Sequence, residues 1–172
     1  MRLDLGCGPV AAEGYEGVDL EPGPGVMHIV DLQSFPWPFD DDTVEAARSS
    51  QLVEHLPDLV GFMRELHRVC KPGALVEISH PYQFNVRAWQ DPTHVRCINE
   101  VSWFYFDKEW RGGPLNTWGG YGDTDFKLLE LDAIPMPDWQ QVADDSPEEF
   151  EKASKNLINV VADLRVVLEC RK

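Results

Sequence analysis

Two short stretches of this 172-residue chain group side chains that bind or react. The first is Leu3-Asp4-Leu5-Gly6-Cys7-Gly8-Pro9, followed by Gly17-Val18-Asp19. An apolar strand stopping at a Gly-x-Gly turn lets the backbone approach a ligand that any side chain would hold off. A carboxylate closing the next strand accepts hydrogen bonds from ribose hydroxyls, so Gly6, Gly8 and Asp19 together describe the nucleotide site of an open α/β sheet. The second stretch is Asp91-Pro92-Thr93-His94-Val95-Arg96, an acid, an imidazole and a guanidinium within one turn of chain. His94 suits a general base for a hydroxyl or amine, with Asp91 orienting it. Arg96 suits an anionic group on a substrate. His80, directly after an apolar run, is a further possible base.

The elements that must position these residues follow from periodicity and punctuation. Strands are expected at Arg2–Leu5, Glu16–Asp19, Val26–Asp31, Thr43–Ser49 and Ala74–Ser79. Between the third and fourth, Pro36, Pro38 and the Asp40–Asp42 run mark a loop in which Trp37 and Phe39 anchor the packing. Leu59, Phe62, Met63, Leu66 and Val69 recur at three and four, which predicts a helix over Pro57–Cys70 ended by Lys71-Pro72-Gly73. Strand, turn and helix in alternation imply a parallel sheet. Later come a strand at Phe126–Ile134, a helix begun by Ser146-Pro147-Glu148-Glu149 and a last strand at Val161–Cys170. Periodicity alone leaves open whether those two strands run parallel or antiparallel. Residues 82–125 form an insert rich in rings, including Trp89, Trp103, Tyr105, Trp110 and Trp118. Gly112-Gly113, Gly119-Gly120 and Gly122 in its second half suggest a mobile flap.

Composition narrows the class. The chain is long enough for one self-sufficient domain, 1–172, with an ordinary 43% hydrophobic and 26% charged residues. Four scattered cysteines with no CxxC pair and no His–Cys ligand spacing fit neither a zinc finger nor a disulfide framework, and suit a reducing cytoplasm. No signal peptide or membrane span is visible. A formal charge of −15 excludes bulk nucleic acid, whose phosphates call for a basic surface. The charge is uneven: residues 82–111 balance at 4 basic and 4 acidic, against 5 and 14 over 1–81. The insert is therefore chemically distinct, and substrate choice is expected there.

Over most of its length the chain resembles the class I S-adenosylmethionine-dependent methyltransferases. The matching pieces are Leu-Asp-Leu-Gly-Cys-Gly-Pro at 3–9, Gly-Val-Asp-Leu at 17–20, Val-Asp-Leu at 30–32, Pro-Phe-Asp-Asp-Asp-Thr at 38–43, Leu-Val-Glu-His-Leu at 52–56 and Glu-Leu-His-Arg-Val-Cys-Lys-Pro-Gly-Ala-Leu at 65–75. The resemblance implies a Rossmann-like open α/β sheet of seven strands, mostly parallel with the last antiparallel beside the sixth, and helices on both faces. It implies S-adenosyl-L-methionine as cofactor. Gly6 and Gly8 would pass under its methionine portion, with Asp4 near the amine, Asp19 on the ribose, and Asp31 and the Leu32 backbone at the adenine. Ser50, with Ser49 and Gln51, would line the space near the methyl group. The implied partner is a small-molecule acceptor reacting at oxygen or nitrogen, with Arg96, Trp103 and Tyr105 of the insert as substrate-side residues.

Three departures from the family pattern carry their own expectations. Nothing precedes the first strand, so the helix that usually covers one edge of the site is expected to be absent or replaced, and the edge so left would favour a homodimer. Pro9-Val10-Ala11 stands where a third glycine is usual, which also argues against a dinucleotide cofactor. Only 13 positions separate Gly6 from Asp19, so the first crossover is expected as a loop or single turn. The same departures support an alternative, a degenerate methyltransferase fold that binds or regulates without turnover.

Plainer readings stand beside the chemical ones. Asp91 before Pro92 is a turn former, and His94 and Arg96 then become structural hydrogen-bonders. At least half the rings of Trp103–Phe106 are expected to be core. Glu54-His55 reads as a cap or a supporting pair, His28 and His67 as surface residues, and Asp40–Asp42 as a solvated turn. No metal site is expected.

Overall fold

The computed structural model describes residues 1–112 and 119–172; Gly113 and Trp118, named above in the flap and among the rings, lie outside the described residues. Strands β1 (Arg2–Leu5), β2 (Glu16–Asp19), β3 (Val26–Ile29), β4 (Val44–Ser50), β5 (Cys70–Pro81), β6 (Phe126–Pro135) and β7 (Val161–Cys170) form one sheet in the order β3-β2-β1-β4-β5-β7-β6. Pairing is parallel from β3 to β5, whereas β7 runs antiparallel to both neighbours. The Rossmann-like class and the antiparallel last strand are as the resemblance implied. A parallel sheet puts the carboxyl ends of β1 to β5 along one edge, where ligands bind in such folds.

Register makes the two faces unlike. Leu3, Ala47, Val76, Leu168 and Leu128 lie opposite one another in one row, and Leu5, Ser49, Ile78, Val166 and Leu131 in the next. Helix α1 (Leu59–Val69) buries Leu59, Phe62, Met63, Leu66 and Val69 against this face, the spacing expected from sequence. Asp58 caps the helix by accepting from the Gly61 N–H at 2.7 Å, and His67 and Arg68 sit in its last turn, where the dipole favours cations. The helix Pro147–Asn156 lies over the same face, its Phe150 packing with Leu131, Ala133 and Leu164. The other face is polar between β4 and β6: Arg165 there pairs with Glu77, Glu130 and Asp132.

Helices were expected on both faces, but over β1 and β2 the second layer is built from loops. The crossovers at 7–15 and 20–25 contain no helix. They are pinned instead: the Ala12 N–H donates to Asp4 Oδ2 at 2.8 Å and the Gly25 N–H to the Pro9 carbonyl at 2.9 Å. Gly17 lies beneath both loops. A Cβ there would meet the Gly25 carbonyl at 2.1 Å and Cys7 Sγ at 2.8 Å, so the close approach requires glycine. The first crossover is thus the loop that its length predicted. Lys71-Pro72-Gly73 ends α1 as expected, yet it does not precede β5. Cys70 already pairs with Val44, and the pairing resumes at Ala46 with Leu75, so the turn is a bulge carried within β5.

The loop from β3 to β4 is held to α1 by a buried carboxylate. Glu65 is 8% exposed, and its Oε1 accepts the Trp37 N–H at 2.6 Å. Arg68 binds both Glu65 oxygens and donates to the Trp37 and Phe39 carbonyls. Trp37 and Phe39 are buried, as the anchoring role requires. Removing the carboxylate leaves the Trp37 N–H unpaired and takes from Arg68 its buried partner, leaving it Asp41 on the exposed side, so Glu65→Leu is expected to lower unfolding free energy by about 3 kcal/mol. Chemical denaturation of the two proteins measures this.

Candidate functional site

Beyond the carboxyl ends of β1 to β4 lies a cavity of about 240 Å³ bordered by Gly6, Asp19, Leu20, Val30, Asp31, Leu32, Gln33, Leu52 and Leu56. Four of the residues assigned to the cofactor from sequence (Gly6, Asp19, Asp31 and Leu32) therefore meet around one space. Gly6 turns the chain at φ +68, and both its N–H and that of Cys7 donate to the Val18 carbonyl. A Cβ at Gly6 would lie 2.9 Å from Leu52 Cδ1. At Gly8, φ +61, the corresponding space is open. Asp19 Oδ2 accepts the Gly8 N–H at 2.7 Å and Oδ1 the Glu21 N–H at 3.2 Å, so the acid is oriented and keeps lone pairs for a ligand. Asp31 accepts from the Ser34 hydroxyl and the Gln33 N–H; these bonds hold its carboxyl below the usual range.

Three of the assigned residues do not border the cavity: Gly8, whose N–H holds Asp19, and Asp4 and Ser50, which sit elsewhere. Asp4 is buried, with Ala12 N–H and Arg48 on its Oδ2, and it supports the first crossover without bordering the cavity. Ser50 is exposed on the polar face, its hydroxyl bonded to that of Ser79 at 3.0 Å. Leu52, Leu56 and Gln33, which line the cavity, were not singled out from sequence. Leu52 and Leu56 stood in the sequence only as the ends of one matching motif, and the turn after β4 shows where they face.

A second, polar cavity of about 210 Å³ is bordered by Gln51, Glu54, His55, Pro81, Arg87, Gln90, Asp91 and His94. The segment leaving β4 divides the two spaces: Leu52 and Leu56 border the first, Gln51, Glu54 and His55 the second. His94 reaches the second because the Val95 N–H docks on the Glu54 carbonyl at 2.9 Å. Asp91 does not orient His94. It accepts the Thr93 N–H and hydroxyl, at 2.9 and 2.7 Å, and Thr93 Oγ1 in turn bonds His55 Nδ1 at 2.9 Å. The turn reading of Asp91-Pro92 is therefore seen, together with a link to His55. The His55 and His94 rings pack edge to face, 4.6 Å between centroids.

A third cavity, about 450 Å³, is bordered by residues of α1 and the insert, among them Arg96 and Tyr105. Arg96 donates to the Pro57 carbonyl at 2.6 Å, and burial pulls its guanidinium below its ordinary value. Trp103 does not share this cavity. It is wholly buried on a short helix, Glu100–Phe104, and its indole N–H donates to His80 Nε2 at 3.2 Å. His80 is wholly buried too, with Nδ1 2.9 Å from the Pro81 carbonyl. A carbonyl only accepts, so Nδ1 carries the proton and Nε2 takes the indole bond. Both ring nitrogens are spent on packing.

Comparison with known proteins places these features in context. Residues 10–78 match a family described as a methyltransferase domain. A relative named as an uncharacterised methyltransferase, from Mycobacterium sp. (strain JLS), is 34% identical over 45% of this chain and 37% of its own length. The chain thus spans less than two fifths of that relative. A solved S-adenosylmethionine-dependent methyltransferase from Archaeoglobus fulgidus superposes with a TM-score of 0.64 at 18% identity, covering 98% of this chain and 85% of that one. The [4+2]-cyclase SpnF superposes at 0.61 with 16% identity, covering 99% and 74%. Likeness of fold at such identities does not by itself name a reaction.

Burial pushes the His80 imidazole down to about 4, so the folded protein refuses a proton that the unfolded chain accepts near pH 6.5. The stability that neutral His80 contributes is complete above pH 6.5 and is lost as pH falls from there toward 4, up to about 3 kcal/mol. Urea denaturation at steps across that window is expected to show a steeper decline for the wild type than for His80→Gln.

Proposed function

We propose an activity on the premise that the chain carries a class I S-adenosylmethionine-dependent methyltransferase domain: it transfers the methyl group of S-adenosylmethionine to an oxygen or nitrogen of a small molecule. The observation that carries this reading is the cavity where the glycine turn of β1 and the terminal acids of β2 and β3 converge. The residues present fit the cofactor. Asp19, held by two backbone N–H groups, accepts the ribose hydroxyls; Asp31 and the Leu32 backbone stand at the adenine side; Gly6 keeps the floor clear of a side chain. When bound, the cofactor supplies an activated methyl group on a sulfonium.

The protein's own contribution is then alignment and exclusion of water. The acceptor would sit in the polar cavity, which shares the segment leaving β4 as a wall with the cavity assigned to the cofactor. His94 borders this cavity and can take the proton of a hydroxyl or amine. His80, bonded at both nitrogens, acts as packing. Arg96 and Tyr105 hold a more distant part of the acceptor in the cavity at the start of α1. The acidic surface supports a small acceptor over a nucleic acid.

Calorimetric titration with S-adenosylmethionine and S-adenosylhomocysteine, with NAD as control, tests this. Both sulfur nucleosides are expected to bind at one site and NAD not at all. Asp19→Ala should weaken binding on the order of 30-fold, about 2 kcal/mol, the scale of charge-assisted hydrogen bonds. No heat from any nucleoside would overturn the cofactor reading and leave the degenerate module.

A further inference from the structure

Glu54 is anomalous. It is 3% exposed, yet neither carboxylate oxygen has a hydrogen-bond partner among the described residues. Leaving a buried acid unsatisfied costs several kcal/mol unless a cation or proton answers it. Glu65, a buried acid on the next helix, shows the usual solution, with an N–H and a guanidinium in contact. Glu54 has instead two imidazoles close by. One ligand-type atom from each of Glu54, His55 and His94 can be chosen so that all three lie within 4.8 Å of one another.

The hydrogen bonds around the two histidines fix which nitrogen is free. Asp91 Oδ1 accepts the Thr93 N–H at 2.9 Å and the Thr93 hydroxyl at 2.7 Å. The Thr93 hydroxyl must then donate to Asp91, and its oxygen accepts from His55 Nδ1–H. His94 Nδ1 stands 3.2 Å from the Ala88 carbonyl, an acceptor only, and carries its proton there too. That leaves the Nε2 lone pair of each ring unspent, and both residues border the polar cavity. An imidazole whose far N–H is tied to a carbonyl or carboxylate-linked group is the usual support of a metal ligand.

We propose that Glu54, His55 and His94 form a divalent-cation site. Two neutral imidazoles and one carboxylate are a donor set for zinc or another first-row transition ion, whereas magnesium and calcium prefer oxygen alone. Zinc bonds of about 2.0–2.1 Å set ligand atoms roughly 3.3 Å apart in a tetrahedron, so the three groups need close by no more than about 1.5 Å on binding. Three protein ligands leave a position open, and it borders the polar cavity of about 210 Å³. Oxygen-bearing molecules are the class it would take. That this molecule is the methyl acceptor rests on the activity proposed above; the binding of metal does not. A cation there occupies the Nε2 of His94, so metal and general base are exclusive uses of one atom.

Neither ligand spacing nor cysteine usage points to such a site, because His94 stands 39 positions from His55. It arises only when Val95 docks beside Glu54.

Zinc chloride titrated into the full chain, without nucleoside or acceptor, tests the proposal. One saturable site is expected, weakened at least 10- to 100-fold by Glu54→Gln, His55→Ala or His94→Ala and unchanged in Asp19→Ala, which separates it from the cofactor reading. Melting gives the second readout. In chelator, Glu54→Gln should match or exceed the wild type, since it removes a buried charge; with zinc only the wild type should gain. No saturable binding, or equal binding by Glu54→Gln and His94→Ala, would overturn the site, as would a wild-type melt indifferent to zinc.

Discussion

The carboxyl edge of the sheet depends on one constraint, the parallel pairing of β1 with β2 on one side and β4 on the other. The chain winds outward from β1 in both directions, and the connections diverge where the direction reverses. No crossover covers that point, so a crevice opens there. The ends of β1, β2 and β3 supply Gly6, Asp19 and Asp31 to it, and the chain leaving β4 supplies Leu52. The crevice therefore survives even though the first two crossovers have shrunk to loops. What those helices would have contributed is carried by backbone bonds to Asp4 and Pro9 and by the loops meeting over Gly17.

Buried polar groups divide into two kinds around this frame. Glu65 and His80 are fully engaged: one clamps the β3–β4 loop to α1, the other ties the indole of Trp103 beneath the insert. Asp4 is likewise bonded to Ala12 and Arg48. Each holds chain segments that apolar contact alone would leave adjustable, since a directional bond fixes register and a methyl contact does not. Glu54 differs in having no such partner, and it sits where two histidines converge beside a cavity. Among the buried carboxylates, Asp4 and Glu65 are satisfied within the fold, whereas Glu54 keeps its capacity in reserve.

The lie of the elements was readable from the chain. Apolar spacing at three and four gave α1 with its buried face, and short apolar runs closed by glycine or acid gave the five parallel strands, because local periodicity is what solvent selects for in a helix or strand. The helices over β1 and β2 were not readable as missing from both crossovers: six residues between β2 and β3 say that the connection is short, not that a loop replaces a layer. That the glycine turn and the acids following β2 and β3 would meet around one space was legible because each lies at or just past a strand end, where topology alone determines the neighbourhood. Where Asp4, Ser50, His80 and Trp103 lie relative to the cavities was not, since a strand or helix position does not say whether a side chain meets a partner or a cavity.

Sequence order alone settled which residues stand at the carboxyl ends of the strands, since alternating strands and turns admit few windings. Tertiary structure decided everything that required two distant segments to meet. Asp91 serves His55 through Thr93, 38 residues away, and Glu54, His55 and His94 share one pocket because a single backbone bond lays the insert beside the β4 turn. Such meetings depend on the direction a loop takes after leaving the sheet. That direction is set by the summed packing of the whole insert, and no local pattern of residue types encodes it.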